Sequence, residues 1–129
     1  MDEESATQPK PTVLIVDDDS PIAETLAMII EDMGYTAVLA FNGRDGLAAA
    51  MRTPPNLIIT DMMMPHMTGA EMIAALRRTG LRMPPVLVLT AGERAYAQNI
   101  GATVTMAKPF DIKILESVLR NLLEPVDGE

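Results

Sequence analysis

The chain has 129 residues, 10 basic against 18 acidic side chains, and a formal net charge of −8. That length suits one domain able to bury a core without covalent staples, and the absence of cysteine excludes disulfides, thiolate metal sites and thiol nucleophiles. The acidic balance, with only two Phe, two Tyr and no Trp, argues against direct binding of nucleic acid, which draws on phosphate neutralisation and base stacking.

Residues 1–11 read as a disordered acidic N-terminal tail, since "MDEESATQPKP" lacks the basic-then-apolar order of a signal peptide. "TVLIV" (12–16) is a short apolar, β-branched run and predicts the first strand. Ser20 followed by Pro21 predicts an N-cap with proline at the first helical position. Ile22, Leu26, Ile29, Ile30 and Met33 then recur at helical spacing until Gly34. "TAVLA" (36–40) is a weaker strand candidate, suited to an edge, and "GRDGLAAAMR" (43–52) a second helix. "NLIIT" (56–60) predicts the third strand, "GAEMIAALRRTG" (69–80) the third helix and "PVLVLT" (85–90) the fourth strand. "ATVTM" (102–106) is a second edge candidate, and Ile112, Leu115, Val118, Leu119 and Leu122 mark one stripe of a last helix. Residues 124–129 read as a short acidic tail, leaving 12–123 as the domain. No run is long and apolar enough to span a bilayer, so a cytoplasmic setting without membrane partners is the expectation.

Continuous rather than alternating apolarity suits strands buried on both faces. Five of them alternating with helices predict an α/β fold, a doubly wound parallel sheet with helices on both sides. Ligands of such sheets sit beyond the carboxyl ends of the strands. There the first strand delivers Asp17, Asp18 and Asp19, the third Asp61, the fourth Thr90, and the fifth leads to Lys108 and Pro109. Asp61 is the only charged side chain between Arg52 and Glu71. Crowded carboxylates repel unless a cation joins them, and oxygen ligands without Cys or His favour Mg²⁺, or Mn²⁺ in its place. Such an ion bridges to phosphoryl oxygens, which Thr90 and Lys108 could also contact. Asp61 is then the natural nucleophile, because carboxylates form aspartyl-phosphates. Asp19 reads as a solvated loop acid, and His66, the only histidine, as an exposed loop residue. The methionines at 62, 63, 64 and 67 read as adaptable packing and partner surface rather than a soft-metal site.

"VLIVDDD" (13–19), "DMMMPHMTG" (61–69), "VLVLTA" (86–91) and "KPF" (108–110), in this order, resemble the receiver domain of two-component response regulators. The resemblance implies a flavodoxin-like sheet of order 2-1-3-4-5, with Asp61 as phosphoacceptor. It implies that Asp17, Asp18, Asp61 and the backbone carbonyl of Met63 hold the metal, and that Thr90 and Lys108 sense the phosphoryl group. It also implies a sensor histidine kinase or histidine phosphotransfer protein as donor. With few residues after the last helix, output is expected through a separate protein, with no turnover of another substrate.

Two departures stand out. Thr105 occupies the position, three before the lysine, where receivers carry an aromatic residue. "TAGERAYAQNIG" (90–101) is about four residues shorter than usual, close to one helical turn, so the fourth helix is expected to be short or irregular. Two other readings stay open. Asp17-x-Asp19 also suits an aspartate-nucleophile phosphatase of the haloacid dehalogenase type, although a further acidic pair after the lysine is missing. The third reading, a pure interaction module with a vestigial site, is disfavoured because all five site residues have suitable chemistry.

Overall fold

Each strand residue of this chain must find an apolar layer on whichever side of the sheet it faces, and the computed structural model, which describes residues 9–91 and 101–124, shows two such layers. The elements in chain order are β1 (Thr12–Val16), α1 (Ser20–Asp32), β2 (Thr36–Ala40), α2 (Gly43–Arg52), β3 (Leu57–Asp61), α3 (Gly69–Arg78), β4 (Val86–Thr90), β5 (Val104–Ala107) and α4 (Ile112–Leu123). The expected short fourth helix falls on the stretch 90–101, of which residues 92–100 lie outside the described residues.

All strands are parallel, in the order β2-β1-β3-β4-β5. The two weak strand candidates are therefore the edges, and the three continuous apolar runs are central. Alternation divides each central strand between the layers. Leu14, Val16, Ile58, Val86 and Val88 pack with residues of α2 and α3, including Ala49, Met72, Ile73 and Leu76. Val13, Ile15, Leu57, Ile59, Leu87 and Leu89 pack with Leu26, Ile30, Leu115 and Leu119 of α1 and α4. Burying each of these large side chains contributes roughly 1.5–3 kcal/mol.

Two details differ from the sequence reading. The cap of α1 is Asp19 rather than Ser20: its carboxylate accepts from the Ile22 backbone N–H at 3.1 Å. Both residues are good caps, and the helix starts one position earlier than proline alone suggested. The stripe of α4 is also narrower, because Ile112 is exposed and only Leu115 and Leu119 are fully buried. A residue in the first turn has no preceding turn of helix to hold it against the sheet.

Each of the four described helices is capped at the carboxyl edge. Asn42 accepts from Asp45 N–H at 2.8 Å, and Asp111 accepts from Lys113 and Ile114 N–H at 2.8 and 3.2 Å. Thr68 and Glu71 form a reciprocal capping box at α3. At the opposite edge Gly34 and Gly80 take φ of +94° and +82° just past α1 and α3, conformations that favour glycine. There too the Tyr35 hydroxyl donates to Glu124, tying the end of α4 to the entry of β2. Burial, then the Glu124 carboxylate, push that hydroxyl's pKa up to about 12.

Candidate functional site

β1 and β3 are neighbours at the centre of the sheet, so the residues just past them meet. Asp17 is 1 % exposed and fixed on both sides: its N–H donates to the Ala40 carbonyl at 3.1 Å, and its Oδ1 accepts from Asp19 N–H at 2.9 Å. Asp61 is the last residue of β3, half-buried, and the next N–H, of Met62, donates to the Leu89 carbonyl at 3.2 Å. Asp18 is exposed beside them. Carboxylate oxygens of Asp17, Asp18 and Asp61 all lie within 4.8 Å of one another.

Lys108 enters this cluster from beyond β5. Its Nζ stands 3.2 Å from Asp17 Oδ2 and 3.3 Å from Asp61 Oδ1. Its own N–H donates to the Thr90 carbonyl at 2.7 Å, so the lysine and the threonine share one backbone tie across β4 and β5. Thr90 is fully buried, and its hydroxyl has no hydrogen-bond partner among the described residues. Asp61, Thr90 and Lys108, the three residues expected to act on a phosphoryl group, are thus gathered at one edge with Asp17 and Asp18. Met63 lies two residues past Asp61 and is 52 % exposed. It lines a cavity of about 330 Å³ with Met62, Thr68 and Ala70.

Electrostatics follow from this crowding. Burial, and next the Asp17 carboxylate, raise the pKa of Asp61, while Lys108 opposes the rise. Burial alone would lower the pKa of Lys108, but Asp17 and Asp61 together outweigh it and hold the ammonium charged. Three carboxylates against one ammonium leave a net −2 in a set of oxygen ligands. That donor set fits a hard divalent cation such as Mg²⁺. Asp19 lies outside the cluster, and its carboxylate caps α1.

Several supports were not read from the sequence. The buried Thr60 hydroxyl donates to the Asp61 carbonyl at 2.9 Å. Gly69 N–H donates to the Met62 carbonyl at 2.9 Å, and a Cβ on Gly69 would stand 2.5 Å from the Asp61 carbonyl oxygen. Glycine is needed there for close approach, and "MTG" was the available signal. His66 is exposed as expected, with a left-handed φ of 70°. Met62 and Met64 are core residues. Thr105 is half-buried opposite Val88, with no aromatic ring at its position.

Comparison with known proteins points to one family. Residues 13–120 match the family described as response regulator receiver domain. The chain is 39 % identical over 115 residues to transcriptional regulatory protein PcoR of Escherichia coli, covering 86 % of this chain and 50 % of that protein. It is 37 % identical over 123 residues to response regulator MprA of Mycolicibacterium vanbaalenii, covering 90 % and 53 %. The chain thus spans about half the length of these curated relatives. Among solved structures, chemotaxis protein CheY4 of Vibrio cholerae superposes with a TM-score of 0.81 at 33 % identity, covering 88 % of this chain and 99 % of that one. The signal receiver domain of a histidine kinase from Syntrophus aciditrophicus gives 0.81 at 33 % identity, covering 92 % and 94 %.

Proposed function

The chain belongs to the response regulator receiver family, and from that premise we propose that Asp61 is its phosphoacceptor and that the chain works as a single-domain switch. Receiver domains are signalling switches that take a phosphoryl group from histidine kinases and bind Mg²⁺ through acidic residues. Here an Asp61 carboxylate oxygen attacks the phosphorus of a phosphohistidine on a sensor kinase or phosphotransfer protein. The P–O bond forms as the P–N bond breaks, and the imidazole nitrogen keeps the electron pair and takes a proton. Asp17, Asp18, Asp61 and the Met63 backbone carbonyl would hold the ion. When bound, Mg²⁺ supplies neutralisation of the charge on the phosphoryl oxygens. Lys108 exchanges its bond to Asp61 for one to a phosphoryl oxygen, and the Thr90 hydroxyl gains the partner it lacks. Residues 12–123 form the switching unit, in the cytoplasm, and output passes through a separate protein rather than through nucleic acid or a membrane.

The observation that carries this reading is the Lys108 ammonium held between two shielded carboxylates, with a buried Thr90 hydroxyl that has no partner among the described residues. Such a lysine is neutralised in place yet free to change partner. Intact mass spectrometry with Mg²⁺ and acetyl phosphate tests it. The chain should gain one phosphoryl group, the gain should require Mg²⁺, and Asp61→Asn should abolish it. An unchanged gain in that variant would overturn the assignment.

A further inference from the structure

Strands and helices run in opposite directions, so each helix ends at the amino edge of the sheet, far from Asp61. α2 ends there in Arg52, α3 ends in Arg77 and Arg78, and Arg82 lies on the segment entering β4. All four are exposed, and among the described residues none makes an ion pair. Arg77 Nη2 alone has a polar contact, donating to the Gly101 carbonyl at 3.5 Å. Between Gly46 and Pro85 the only acids are Asp61 and Glu71, both at the opposite edge. Arg82 lines a cavity of about 320 Å³ with Pro55, Asn56, Met83, Pro84 and Pro85.

Complementing the helix dipole accounts for cations in a last turn. It does not account for Arg82, which lies on no helix. Nor does it fit α1, which ends in Glu31 and Asp32 on the other face of the sheet. At this edge the α2–α3 side carries arginines without acids, whereas the α1–α4 side mixes Glu31 and Asp32 with Arg120 of the last turn of α4.

We propose that this arginine edge is the docking site of the chain's own acidic run Asp2-Glu3-Glu4. The tether leads there: Thr12 N–H, at the start of β1, donates at 2.7 Å to the side-chain oxygen of Asn56, which lines the cavity. Asp2 to Glu4 precede Lys10 by six to eight residues, a chain that extends to about 20–28 Å at most. The start of β4 is two strands from β1, about 10 Å at the usual strand spacing. Guanidinium groups pair with carboxylates through two parallel N–H donors. Single exposed pairs are weak, but a short tether makes their formation intramolecular and raises the effective concentration of the acids.

The chain has no cysteine, so Ser5→Cys carries one nitroxide whose neighbours can be read by paramagnetic broadening of amide signals. At low salt Arg52, Asn56 and Arg82 should lose intensity by a factor of about two or more, and recover it at about 1 M salt, where the Debye length is about 3 Å. Combining Arg52→Gln, Arg78→Gln and Arg82→Gln should remove the broadening, as should Asp2→Asn with Glu3→Gln and Glu4→Gln. Three results would overturn the proposal. One is broadening that persists in the glutamine variants. Another is broadening centred on α1 and α4. The third is broadening that arises only between a nitroxide-bearing copy and a second, isotopically labelled copy, which would make the contact intermolecular.

Discussion

At the carboxyl edge Asp17, Asp61 and Lys108 are largely withdrawn from water and bonded to one another, whereas at the amino edge Arg52, Arg78 and Arg82 are exposed without an ion pair among the described residues. The same sheet supports both, so the contrast comes from where the charges enter. Strand ends place side chains between the loops, out of solvent, while helix ends and their connections place them outward. Charges of the first kind depend on their partners for stability. Charges of the second kind leave the fold almost untouched and act on what approaches. Each edge can be tested against that rule.

The largest effect belongs to Lys108→Met, which leaves two shielded carboxylates facing each other. Removing one partner of a buried pair costs about 3–5 kcal/mol, and urea unfolding should show a loss near 3 kcal/mol, since the lysine retains some exposure. Adding Asp61→Asn should recover part of it. If Lys108→Met costs no more than a surface substitution, the site is not the shielded cluster described.

Gly69→Ala comes next. Its Cβ would stand 2.5 Å from the Asp61 carbonyl, an overpacking worth about 1–3 kcal/mol. Because the displaced atom is the backbone of the phosphoacceptor, phosphorylation by acetyl phosphate should slow as well. Lowered stability with an unchanged rate would separate the loop from the chemistry.

Tyr35→Phe sharpens the comparison from the amino edge, where the Tyr35–Glu124 bond is the exception among exposed charges. Losing a bond to a charged acceptor costs about 1.5 kcal/mol. The hydroxyl's pKa rises from 10.0 to about 12 on folding, so the folded state holds this proton more tightly. Its stabilisation is complete below pH 10.0 and is lost as pH climbs towards about 12. Denaturation across that window should show a steeper alkaline decline in the native chain than in Tyr35→Phe.

Arg78→Gln should change stability least, by no more than about 0.5 kcal/mol. A change as large as that of Lys108→Met would erase the distinction between the edges.

Much of this was legible in the residues. The runs at 12–16, 56–60 and 85–90 read as strands buried on both faces, and continuous apolarity shows that without an alignment. Asp17, Asp61, Thr90 and Lys108 were legible because a parallel sheet sends the residue after each strand to one edge. What stayed hidden depends on distances between segments remote in sequence. Nothing local says that Lys108 reaches Asp17 as well as Asp61. Nor does it say that the Thr60 hydroxyl holds the Asp61 carbonyl, or that Gly69 lies against it. The choice of Asp19 over Ser20 as cap turns on one residue's backbone angle, which adjacent cap-forming residues cannot disclose. Ile112 kept the helical spacing of the stripe yet faces water, because periodicity marks a face but not where along it the core begins.

The central claim is that the shielded carboxylate at the end of β3 carries the phosphoryl group. An acyl phosphate, unlike a phosphate ester, is reduced by borohydride to the alcohol, which turns a phosphorylated aspartate into homoserine. The chain treated with Mg²⁺ and acetyl phosphate, reduced and digested, should yield homoserine at position 61 and at no other aspartate. Homoserine at Asp17 or Asp18, or a phosphoryl mass gain that leaves no homoserine after reduction, would contradict the account.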